Sequence, residues 1–209
     1  MGLKGLERPR PSRLVIHWIG NILRGILTLP MFSIPTGSLK FLIGWAAVFL
    51  FRLIPFRPPN FEPMLATVMP FSKRYGLVGS FSFGFFGIVL YDAVTSGWGM
   101  WTVVTALCYG GLGVASHLFF KNREASVKNF LLFGVPATLA YDVVTMTIGP
   151  LFNSQLWSAA LVGQIPFTLM HLLGTVVFAT LLSPALYRWV VQSEALEISF
   201  FRKGYTPVR

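Results

Sequence analysis

The chain has 209 residues, of which 54% are hydrophobic and only 11% charged, with a mean hydropathy of +0.66. Soluble domains carry about 25% charged residues, so the deficit excludes an ordinary water-soluble domain and leaves a surface that mostly faces lipid. The formal net charge of +10 raises nucleic acid as a partner, until the positions of the charges are considered.

The first segment, residues 1–36, is basic. Within it Leu14, Val15, Trp18, Ile19, Ile22, Leu23, Ile26 and Leu27 repeat at helical spacing, while Arg13, His17, Asn21, Arg24 and Thr28 fall on the opposite face. This predicts an amphipathic helix lying in the membrane interface rather than a signal peptide. Pro30 and Pro35 end it. A membrane domain over 37–190 and a cytoplasmic tail over 191–209 follow.

Apolar runs and their breakers predict spans near residues 38–54, 61–72, 75–94, 99–119, 129–149 and 157–187. The fold class is therefore all-α integral membrane: a six-helix transmembrane bundle preceded by an N-terminal amphipathic interfacial helix. With the N-terminus in the cytoplasm, Lys40, Lys73, Arg74, Lys121, Arg123, Lys128, Arg188, Arg202, Lys203 and Arg209 join the basic N-terminal segment inside, and only Arg52 and Arg57 remain outside. That is the positive-inside pattern. The basic excess reads as topology, with both termini cytoplasmic at the cell membrane, and no nucleic-acid surface is expected. The second span is the shortest, carrying Glu62, Pro63 and Pro70.

Small residues mark close helix packing. Gly76, Ser80 and Gly84 stand at spacing four in the third span, and Gly110, Gly111 and Gly113 cluster in the fourth. The single cysteine, Cys108, excludes an intramolecular disulfide and a thiolate metal cluster.

Polar residues in a lipid-facing chain carry more information. Tyr91-Asp92-Ala93-Val94-Thr95 returns almost unchanged as Tyr141-Asp142-Val143-Val144-Thr145, although the chain has only seven acidic residues. A carboxylate at membrane depth costs about 2.5–3.5 kcal/mol on insertion scales, so the repeat is expected to aim two acids at one site. Asn60, Glu62, Trp98, Trp101 and Gln155 fall at the same outer ends. Gln164, Thr168, His171 and Thr175 form a polar stripe on the last span. The expected substrate-binding set is Asn60, Glu62, Tyr91, Asp92, Trp98, Trp101, Tyr141, Asp142, Gln164 and His171. The competing reading makes the threonines interhelical glue and the tryptophans an interfacial belt.

The segment Arg52 to Pro63, which contains Pro59-Asn60-Phe61-Glu62-Pro63, resembles the Pro-Asn-x-Glu-Pro segment of substrate-binding S components of energy-coupling factor (ECF) transporters. Tyr91-Asp92, Gly97 to Thr102, and Gln164 to Gly174 are similar to further motifs of one subgroup, over roughly residues 38–188. The resemblance implies capture of a small-molecule vitamin or related heterocycle from outside. It also implies partnership with an ECF transmembrane coupling subunit and two cytoplasmic ATPase subunits. One departure is visible. The family's Ala-x-x-x-Ala docking surface has no counterpart in the first span, which offers Gly44, Ala46 and Ala47.

Enzyme motifs are missing. There is no Walker loop and no HExxH, and no cofactor or metal site is expected. Two alternatives stand beside the transporter subunit: a secondary transporter or channel for a small polar solute, and a lipid-modifying enzyme using Asp92, Asp142 and His171. The ligand is left open among thiamine-like, pterin-like, deazapurine-like and corrinoid compounds.

Overall fold

The computed structural model describes residues 38–152 and 154–197. The expected amphipathic helix and most of the tail lie outside the described residues. Five helices are described: α1 Ser38–Arg52, α2 Met64–Val94, α3 Met100–Phe120, α4 Val127–Phe152 and α5 Trp157–Leu186. A π-helical turn, Tyr187–Val191, and a short 3-10 turn, Glu194–Leu196, follow. The described part is all-helical, and α2, α3, α4 and α5 (with its π-helical extension) are long and apolar enough to cross a membrane.

The expected second and third spans are joined in α2, but α2 is not one rod. Gly76 interrupts it with φ 66° and ψ −174°, a conformation that side chains with a Cβ rarely adopt. In an unbroken helix, residues twelve apart lie about 18 Å from one another. The rings of Phe71 and Phe83 instead stack with centroids 4.2 Å apart. The chain therefore doubles back at Gly76, making one arm of residues 64–75 and a second of 77–94.

The first arm is short because of where it sits. Residues 64–72 are buried without interruption, so this arm is surrounded by the other helices rather than by lipid. A proline there needs compensation, since Pro70 cannot donate to the Ala66 carbonyl. Ser183 of α5 supplies the donor, with its hydroxyl 2.6 Å from that carbonyl.

Around this arm the bundle closes by aromatic and backbone packing. Phe41 of α1 meets Phe71, Tyr75 and Phe83 edge-on, and Trp45 donates 3.0 Å to the Phe83 carbonyl. The second arm of α2 packs most extensively on α3, at the small residues the sequence marks. A Cβ on Gly84 would collide with the Tyr109 carbonyl, and one on Gly113 with the Ser80 carbonyl. Glycine here sets the interhelical distance. α4 pairs with α5, where the Thr138 and Thr175 hydroxyls meet at 2.7 Å. This part of the polar stripe is interhelical glue.

At the opposite end from the cavity described below, Lys40 is buried, with 1% of its surface exposed. Its ammonium donates to the Val191 carbonyl at 2.9 Å and to Glu197 at 3.1 Å. It thus satisfies a helix-terminal carbonyl that the widened last turn leaves open.

Candidate binding cavity

The two copies of the Tyr-Asp-x-Val-Thr repeat share their local geometry. Thr95 donates to the Tyr91 carbonyl at 2.8 Å and Thr145 to the Tyr141 carbonyl at 2.9 Å. Their carboxylates then part company. Asp92 accepts the Thr102 hydroxyl at 2.6 Å, while its backbone carbonyl accepts from the amides of Thr95 and Gly97. It organises the turn from α2 to α3. Asp142 is 3% exposed and meets His171 Nδ1 through Oδ1 at 2.8 Å. The other oxygen, Oδ2, is buried and has no hydrogen-bond partner.

Asp142 lines a cavity of about 240 Å³ together with Asn60, Trp101, Thr105, Tyr141, Thr145, Gln164 and Phe167. A second cavity of about 270 Å³ shares Trp101, Thr145, Gln164 and Phe167 and reaches Met146, Gly149 and Gln155. The cavities adjoin through these shared walls, between the start of α3, the end of α4 and the start of α5. A third recess adjoins through Asn60 and is lined by Arg52, Arg57 and Glu62 among others.

The floor between these recesses is an ionic and aromatic network. Tyr109 of α3 donates to Glu62 Oε1 at 2.7 Å, and Arg52 Nε lies 3.4 Å from Glu62 Oε2. The Arg52 guanidinium rests 4.1 Å above the Tyr91 ring, a cation–π arrangement. Neither its Nε nor its Nη1, both buried, makes a hydrogen bond. Tyr141 packs on both Tyr109 and His171, with ring centroids at 4.9 and 5.4 Å. Asn60 takes φ +61°, and its segment runs close over α5, where a Cβ on Gly174 would stand 3.2 Å from the Glu62 amide.

Of the expected set, Asn60, Trp101, Tyr141, Asp142 and Gln164 line one cavity. His171 lies behind Asp142, Glu62 lines the adjoining recess, and Tyr91 supports Arg52. Asp92 and Trp98 are placed apart: Trp98 is 74% exposed, with its indole bonded to the Val89 carbonyl. The two acids do not converge, because helix direction brings α4 against His171 of α5 and leaves the end of α2 beside Thr102. Arg52, expected as an outside loop charge, is instead drawn inward, its side chain 16% exposed. Tyr109, Thr105 and Phe167 were not expected. Arg52 and Tyr109 carried a faint signal, since a half-buried Glu62 needs a cation and a donor. Among the described residues no group of acidic, histidine or cysteine side chains could hold a metal ion.

Comparison with known protein families matches residues 41–188 to the ECF-type riboflavin transporter, S component. The chain belongs to this family. It is thus a membrane subunit of a vitamin-uptake transporter and not an enzyme. Comparison with curated proteins and with solved structures finds no match. The matched region begins within α1 and ends at Arg188 in the π-helical turn, so it contains every residue of the cavity.

Proposed function

We propose that this S component captures a flat heterocyclic vitamin in the cavity walled by Trp101, Tyr141, Asp142, Gln164 and Phe167, open to the outside of the cell membrane. Riboflavin is the first candidate, because the family carries its name. The observation that supports this reading best is the pairing of aromatic walls with a buried carboxylate oxygen that lacks a donor. Lipid-facing packing offers no reason to bury such a group. Ligand pockets combine apolar walls with a few placed polar groups, and this cavity has that composition.

The reading includes six passes. α1 makes the first, the two arms of α2 make the second and third, and α3, α4 and α5 complete the bundle with both termini cytoplasmic. The charge asymmetry supports this orientation, as does the grouping of Lys73, Arg74, Arg123 and Arg188 at the end opposite the cavity. The proposed partners are a membrane coupling subunit and two ATPases. The first arm of α2 is too short to cross by itself, but its burial relieves it of matching the lipid thickness.

Purification from the native host followed by native mass spectrometry tests the reading. The expected result is one retained small molecule per chain, exchangeable for added riboflavin, and ATPase subunits in the same preparation under mild extraction. A chain that retains nothing and takes up no riboflavin speaks against it.

A further inference from the structure

We infer that Asp142 is the carboxylate that reads the ligand's ring N–H, and that the ligand presents a carbonyl–N–H–carbonyl edge to it, as the imide of a flavin does. This rests on the reading of the chain as a capture subunit for a flavin-like heterocycle, and adds how the ligand is recognised and oriented.

Asp142 Oδ1 is engaged by His171 at 2.8 Å, and Oδ2 is buried with no partner. A buried carboxylate oxygen without a donor is costly, and charge increases the cost. Several donors around the cavity are committed elsewhere. Thr105 donates to the Trp101 carbonyl at 2.7 Å, Thr145 to the Tyr141 carbonyl at 2.9 Å, and Gln164 to Thr168 at 3.1 Å. The Tyr109 hydroxyl is taken by Glu62. None of the lining donors reaches Oδ2, so we assign its donor to the cavity's occupant.

Three lining side chains with donors, Asn60, Tyr141 and Trp101, make no side-chain hydrogen bond among the described residues, and the first two are the polar pair beside Asp142. Both can donate, and both border the same space as Asp142. An acceptor flanked by donors complements a donor flanked by acceptors. Trp101 and Phe167 supply the apolar walls for the attached rings. Because Asp142 enters from α4 and His171 from α5, the Oδ1 contact holds the carboxylate in one rotamer and leaves Oδ2 for the ligand. His171 is in this sense a positioning residue.

The test compares riboflavin with its imide-methylated analogue, in which the ring N–H becomes N–CH₃, using quenching of ligand fluorescence by the full-length protein in lipid nanodiscs. Wild type should bind riboflavin and bind the methylated analogue roughly 10- to 150-fold more weakly, as expected for one charge-assisted hydrogen bond. Asp142→Ala, which makes room for the methyl group, should weaken riboflavin by a similar factor and leave the analogue almost unaffected. His171→Gln should shrink the ratio between the two ligands, whereas a merely structural residue would lower both affinities equally.

Failure to bind riboflavin at all overturns the flavin reading and this inference with it. Equal affinity for both ligands overturns the inference alone and leaves capture standing. If Asp142→Ala does not fold, the wild-type comparison of the two ligands still decides, since it needs no substitution.

Discussion

The Ser183 hydroxyl donates across 117 residues of sequence to the Ala66 carbonyl, at 2.6 Å. That carbonyl is the one Pro70 leaves without its helical donor. A proline in the most buried arm of the bundle is thus matched by a hydroxyl on the last helix. Ser183→Ala removes the match and leaves a buried carbonyl unpaired, at a cost of about 1–2 kcal/mol. Thermal unfolding in detergent should show a lowered midpoint with ligand affinity unchanged, and Ser183→Thr should retain most of the stability.

Glu62 is held by Tyr109 at 2.7 Å and by Arg52 at 3.4 Å. Tyr109→Phe should cost about 1.5–3 kcal/mol, the range for a hydrogen bond to a charged group. Combined with Glu62→Ala it should cost less than the sum of the two single changes, because the groups share one network. A double-mutant cycle on unfolding midpoints measures this, and strict additivity would show that the bond carries no energy.

Gly84 and Gly113 set the distance between α2 and α3, each facing a backbone carbonyl that cannot step aside. Gly84→Ala should destabilise by about 1–3 kcal/mol, as overpacking does. Gly111 lies on α3 with open space where its Cβ would be, so Gly111→Ala should be neutral or slightly stabilising. Equal effects at the two positions would refute the close-approach account.

The long apolar runs were readable because lipid imposes a composition on every residue that faces it. α3, α4 and α5 accordingly begin and end within a few residues of their expected limits. The break between Lys73 and Leu77 was visible as a change in polarity, but the reversal at Gly76 depends on a backbone conformation that composition does not express. At the cavity, the Tyr-Asp-x-Val-Thr repeat pointed to two acids in one local context, of which only Asp142 is buried. Local sequence is the same in both copies, so nothing in it distinguishes a carboxylate facing His171 from one facing Thr102. Arg52 was misplaced for a related reason: a charge at a helix end looks like a loop charge until Glu62 is known to lie beside it.

Glu197 ties the 3-10 turn to Lys40 of α1. The hydrogen bond from Lys40, with that ammonium's charge, holds its carboxyl below the usual carboxylate range. A group whose folded-state value is depressed contributes stability above its ordinary value and loses it as pH falls through the folded one. Protection of the 192–197 segment from protease should therefore be greatest at neutral pH and decline on acidification below the usual carboxylate range. Glu197→Gln should lower protection at neutral pH and flatten this acid dependence.

The central claim, an outward cavity that captures the vitamin, is tested most directly by cysteine labelling in intact cells, with Cys108→Ser as background. Gln155→Cys, at the cavity wall, should react with an impermeant thiol reagent, and riboflavin should slow the reaction. Asn122→Cys, at the opposite end, should react only after permeabilisation and be indifferent to riboflavin. The reverse labelling pattern, or a Gln155→Cys rate that riboflavin leaves unchanged, would contradict the account.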